Sequence, residues 1–119
     1  MKAAILVEQN APLVVADVEI PALDFGQVLV KVDYSGVCGK QLEEISGKRG
    51  ADPYIPHLLG HEGAGVVVET GPGVSKVNAG DHGVLHWIKG SGIDSAPPRF
   101  QWDNTVVSSG WVTTFSEYA

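Results

Sequence analysis

Short runs of branched and aromatic residues, cut by glycine and proline, dominate this chain, and helical spacing is rare. Ala3 to Val7 and Leu13 to Ile20 are β-rich runs separated by Gln9-Asn10-Ala11-Pro12, which predicts two strands joined by a turn, the second ended by Pro21. Between Val28 and Tyr34 the residues alternate. Val28, Val30, Val32 and Tyr34 share one face and Lys31 and Asp33 the other, the pattern of a half-buried strand. Lys40 to Ser46 holds helix formers with Leu42 and Ile45 three apart, enough for one or two turns before Gly47.

The segment from Lys48 to Leu59, with Pro53 and Pro56, predicts an ordered loop that delivers His57 and Gly60. Gly65 to Glu69 reads as a buried strand broken by Gly71-Pro72-Gly73, and Asn78 to Asp81 as a second turn. β character resumes at Val84 to Trp87. Gly90 to Asn104 predicts a long irregular excursion, and Val112 to Ala119 alternates again. About six short strands with almost no helix make a small all-β barrel with one short helix the expected architecture.

A length of 119 residues allows one domain and a single core, and is short for a two-substrate enzyme. The net charge of -6, with basic residues scattered singly, argues against a nucleic-acid or anionic membrane surface, since both need clustered Lys or Arg. Small neutral or polar ligands fit better. The single cysteine, Cys38, permits no internal disulfide, and no apolar run approaches the length of a signal peptide core or membrane span, so a cytoplasmic protein is expected.

The densest chemistry lies in Gly60-His61-Glu62-Gly63-Ala64-Gly65, a polar site on the lip of a strand. Cys38 and His61 stand 23 residues apart, each at a strand end, and a thiolate with an imidazole suits Zn²⁺. Taken alone, a single cysteine is more often a small core residue, and a histidine beside a glutamate is often just a satisfied polar pair. Other patterns fail. Glycine replaces the second histidine of a zincin helix after His61-Glu62, and Lys76 replaces the third glycine of a dinucleotide fingerprint after Gly71 and Gly73. There is no P-loop and no nucleophile elbow.

The ordered series Gly36-Val37-Cys38-Gly39, Pro56 to Val67, Gly71-Pro72-Gly73-Val74 and Gly80-Asp81 resembles the medium-chain dehydrogenase/reductase family, specifically the GroES-like catalytic domain of its zinc-containing alcohol dehydrogenases. The resemblance covers nearly the whole chain, from Met1 to Tyr118, and implies a GroES-like, partly open β-barrel that makes residues 1–119 an incomplete N-terminal catalytic domain. It implies that Cys38 and His61 are zinc ligands, with Glu62 beside the metal or coordinating it directly. A third ligand and the Rossmann domain that binds NAD or NADP are expected in a later segment. On this reading the 119 residues alone hold zinc weakly or not at all and turn nothing over.

The implied activity is that of a zinc-dependent, NAD(P)-linked alcohol or polyol dehydrogenase, with zinc acting as a Lewis acid on a small alcohol or aldehyde. The full-length protein is expected to be a homo-oligomer. Trp87 falls where the family has an aromatic wall of the substrate pocket, with His86 beside it; a core aromatic is the competing reading. Lys40 replaces the Ser or Thr that usually starts the proton relay, and is either a catalytic lysine or a solvent-facing one. Gln41 follows it, where Asp is common.

Two further departures stand out. Trp87 to Trp111 contains none of the four cysteines that hold a structural zinc in many members, so one catalytic zinc and no structural zinc are expected, with Phe100, Trp102 and Trp111 packing as a cluster instead. Gly83 replaces a usual valine, a small expected loss of core packing. A zinc-free quinone or enone reductase and a non-catalytic GroES-like binding module are the alternatives. Cys38, His61 and Glu62 weigh against both.

Overall fold

The computed structural model describes residues 1–119. The chain forms eight strands and one helix: β1 Lys2–Leu6, β2 Val14–Asp17, β3 Val28–Ser35, α1 Gly39–Ile45, β4 His57–Leu58, β5 Glu62–Thr70, β6 His82–His86, β7 Phe100–Trp102 and β8 Thr105–Val107. They assemble as an antiparallel sheet β2-β1-β4, a second antiparallel sheet β3-β5-β6, and the hairpin β7-β8. The architecture is mostly β with one short helix, as the alternation predicts, and the sheets do not close into a full barrel.

The core forms where the first sheet meets the hairpin. Ala3 and Ile5 of β1, Val18, Leu58 of β4, Phe100 of β7 and Val107 of β8 are each at most 3% exposed and pack together. Fully burying such side chains contributes about 1.5–3 kcal/mol each, which makes this cluster the main apolar anchor. Trp102 packs against its edge, whereas Trp111 stays 70% exposed and donates its indole N–H to the Ser95 carbonyl. The expected three-aromatic cluster therefore reduces to two.

The last residues join the two large sheets. Phe115 accepts from Ala4 N–H, Glu117 donates to the Lys2 carbonyl and accepts from Val32 N–H, and Ala119 exchanges two hydrogen bonds with Val30. Alternation from Val112 onward foretold extended backbone, but the segment crosses from β1 to β3 and makes isolated bridges with each instead of a ladder.

Several local expectations are corrected. α1 forms where its helix formers predict it, but it buries Gln41 and leaves Leu42 62% exposed, so an amide anchors it. Tyr34 is 78% exposed because the register slips between Val32 and Tyr34, and the extra residue bends the end of β3 away from the core. Gly83 lies opposite Gly65 and faces open space, so a valine there would gain little packing. The 90–104 excursion ends in β7, whose two-residue turn at Asp103-Asn104 leads into β8.

Candidate metal centre

Two glycine-bearing corners set the site. Cys38 lies just after β3 and caps α1: its sulfur accepts from Lys40 N–H at 3.3 Å, while Gln41 Oε1 accepts from Cys38 N–H at 2.9 Å. This is the capping-box arrangement with a thiol in place of the usual hydroxyl. His61 lies between β4 and β5, where Gly60 takes φ +91, and a Cβ on Gly60 would run into the Thr114 side chain. Glycine is the residue that meets both demands.

Thr114 secures the other side. It is 1% exposed, its amide and that of Phe115 both donate to the Leu59 carbonyl, and its hydroxyl donates to the Glu62 carbonyl at 3.1 Å and pairs with Ser35 Oγ at 2.8 Å. The backbone on both sides of His61 is thereby held.

These corners bring the sulfur of Cys38 to 3.2 Å from His61 Nε2. Two ligands of one tetrahedral zinc, with bonds of about 2.3 Å to sulfur and 2.0–2.1 Å to nitrogen, stand about 3.5 Å apart. The pair thus fits a shared ion after a shift of a few tenths of an ångström. Behind the ring, Gln41 Nε2 lies 2.9 Å from His61 Nδ1.

Glu62 does not join them. No three His, Cys, Asp or Glu side chains lie close enough together to hold an ion. Adjacent residues entering a strand point to opposite faces, and the Glu62 side chain lies over Gly36, where a Cβ would strike it. The Lys40 ammonium sits 3.4 Å from Glu44 Oε1, one turn along α1, so Lys40 meets the sulfur through its backbone N–H and not through its charge.

His61 and Gln41 line a polar cavity of about 770 Å³ together with Asp52, Tyr54 and His57. His57 ties this cavity's edge: Nε2 donates to Asp52 Oδ2 and Nδ1 to the Leu58 carbonyl, both at 2.8 Å. Trp87 and His86 lie elsewhere, on a second, apolar cavity of about 750 Å³. Trp87 is 72% exposed, so the core reading does not describe it, and it lines the apolar cavity while His61 lines the polar one. The two cavities share Pro98, Trp111 and Val112 as a common wall.

Sequence reading found Cys38 and His61 but missed the roles of Gln41 and Thr114. The Cys-x-x-Gln spacing, which matches a capping box, was the available signal for Gln41. Thr114 carries no local signal, because its partners come from β3 and the approach to β5.

The site is thus a mostly β scaffold that brings a thiol and an imidazole to within 3.2 Å of each other. Residues 24–119 match the alcohol dehydrogenase GroES-like domain, and the chain belongs to that family. An alcohol dehydrogenase of Geobacillus stearothermophilus is 40% identical over 88 residues, which cover 74% of this chain and 26% of that protein. The crystal structure of an alcohol dehydrogenase zinc-binding domain protein from Burkholderia ambifaria superposes with a TM-score of 0.62 at 38% identity, covering 68% of this chain and 21% of that one. An NAD-dependent alcohol dehydrogenase matches the entire chain with a TM-score of 0.74 at 27% identity, covering 36% of its own length. The chain thus spans about a quarter of the curated relative it matches. No helix is long and apolar enough to cross a membrane.

Proposed function

We propose that this chain is the N-terminal catalytic part of a zinc-dependent, NAD(P)-linked alcohol or polyol dehydrogenase, acting on a small alcohol or aldehyde as a cytoplasmic homo-oligomer. The observation that carries the proposal is the 3.2 Å approach of Cys38 Sγ to His61 Nε2, both presented by backbone corners with little freedom. Membership of the alcohol dehydrogenase family supports the reaction type, and the zinc-binding and NAD-dependent relatives support the two cofactors.

Cys38 and His61 would hold the metal, with further ligands from outside these residues. Bound zinc would supply Lewis-acid polarisation of the substrate oxygen, and a bound nicotinamide the hydride acceptor. The chain's own residues do the positioning. Gln41 grips both the backbone of one ligand and the ring of the other, and Thr114 fixes the peptide that carries the ring. His57 holds a proton at Nε2 against Asp52 on the rim of the same cavity, a polar wall for a hydroxylic substrate. Lys40 contributes positive charge near Asp52 and no metal contact.

The test is metal analysis of the protein expressed from its complete reading frame, followed by an NAD(P)-coupled alcohol screen. One zinc per subunit is expected, lost in both Cys38→Ala and His61→Ala, with alcohol oxidation lost in parallel. Zinc retained in either variant, or a zinc-free protein that reduces quinones or enones, rejects the proposal.

A further inference from the structure

Gln41 is the buried residue of α1, 1% exposed, and its carboxamide faces two groups of unequal freedom. The Cys38 backbone N–H, 2.9 Å from Oε1, can only donate. That fixes the amide oxygen on the Cys38 side and turns the NH₂ toward His61. The NH₂ also can only donate, and it lies 2.9 Å from Nδ1. Nδ1 therefore accepts, and a neutral ring carries its proton on Nε2. From there the proton points at the Cys38 sulfur, 3.2 Å away, which also receives the Lys40 N–H. Every buried side-chain nitrogen and oxygen finds a partner in this arrangement. The other tautomer would set an N–H against an NH₂, a costly pairing of donors.

A histidine binds a metal through a lone pair, and its second nitrogen then donates to an acceptor behind it. Gln41 presents the wrong group for that. We infer that Gln41 is a positioning residue that locks His61 in the tautomer whose proton, not its lone pair, faces the space between Nε2 and Sγ, so that a cation enters only with the loss of one of the amide's two hydrogen bonds. Turning the amide gives Nδ1–H its acceptor but sets the NH₂ against Cys38 N–H, so loading sacrifices one buried hydrogen bond whichever way the amide faces. A carboxylate at the same place accepts from both and removes the conflict. The identity of the cation rests on the zinc reading above; the tautomer does not.

The tautomer is read from two- and three-bond ¹H–¹⁵N correlations of the His61 ring in the metal-free chain near neutral pH, for the natural protein and for Gln41→Glu. The natural chain is expected to show Nε2–H, and the variant Nδ1–H. Zinc titration of the two proteins expressed from the complete reading frame, against a competing chelator, is expected to give tighter binding in Gln41→Glu by about tenfold or more, the scale on which groups behind a ligand tune affinity. Circular dichroism checks that the variant folds, and the natural chain's tautomer needs no variant. Nδ1–H in the natural chain overturns the lock outright. Equal zinc affinity in the two chains overturns its control of loading while the zinc reading stands. No zinc on either protein when each is expressed from its complete reading frame and titrated to millimolar zinc overturns both.

Discussion

Asp52 gathers more donors than any other carboxylate near the site. Burial opposes its charge, but the Tyr54 N–H, the His57 ring and the nearby charges of His57 and Lys40 together outweigh burial and hold its carboxyl below the ordinary value of 3.8. Asp52 thus ionises more readily in the folded chain than in the unfolded one. The stability it contributes is complete above about pH 3.8 and drains away as pH falls through the lower folded value. Asp52→Asn is expected to be less stable than the natural chain near neutral pH and to lose less in that acid window. Urea midpoints measured across the acid range decide this, and parallel curves for the two chains would sink it. At this scale the sequence was informative where the residue type names its own chemistry, as for Cys38 and His61. It was silent for Gln41, because an amide carries no such label until its two partners are seen. Glu62, next to His61 along the chain, lies over Gly36, because entry into β5 sends neighbours to opposite faces.

Elements were legible in proportion to how local their causes are. β1, β3 and β5 follow from their own branched residues, and α1 from its own formers. β6 begins at His82, ahead of its apolar residues, because pairing of His82 with Val66 and Gly83 with Gly65 extends the ladder from the partner strand. The β7-β8 turn was missed although Asp103 and Asn104, at φ 45 and 62, are residue types that tolerate the left-handed region a tight hairpin needs. The C-terminal strap is the least local element of all, since its register is written in β1 and β3. Removing Phe115–Ala119 frees the hydrogen bonds from Ala4, Val30 and Val32 and those made to Lys2, Val30 and Leu59. At a net 0.5–1.5 kcal/mol each, on the order of several kcal/mol of stability is at stake, a large part of what a domain of this size possesses. Hydrogen exchange is expected to show the Val30 and Val32 amides losing protection in the truncated chain. Protection equal to that of the intact chain would show that the strap does not join the sheets.

Across the whole molecule, ordinary compactness coexists with a thin core. The radius of gyration is 14.1 Å, close to the about 13.5 Å expected for a folded chain of this length, yet 15 of 119 residues are buried. The deficit is therefore not expansion. It traces to the apolar cavity beside β3 and β6, where Trp87, Ile88 and Trp111 are 72%, 61% and 70% exposed along one continuous surface. Folded monomers rarely leave contiguous apolar patches beyond a few hundred Å² open to water. The chain is accordingly expected to bind anilinonaphthalene sulfonate while its near-ultraviolet circular dichroism remains that of a packed protein, which separates an open groove from a loosened core. Trp87→Lys, placed on the groove and away from Cys38 and His61, is expected to weaken dye binding while leaving the urea midpoint nearly unchanged, because a residue this exposed contributes little to the core. Dye binding that appears only as the near-ultraviolet signal is lost would mean that the groove is closed in solution and that the apolar surface belongs to the unfolding chain.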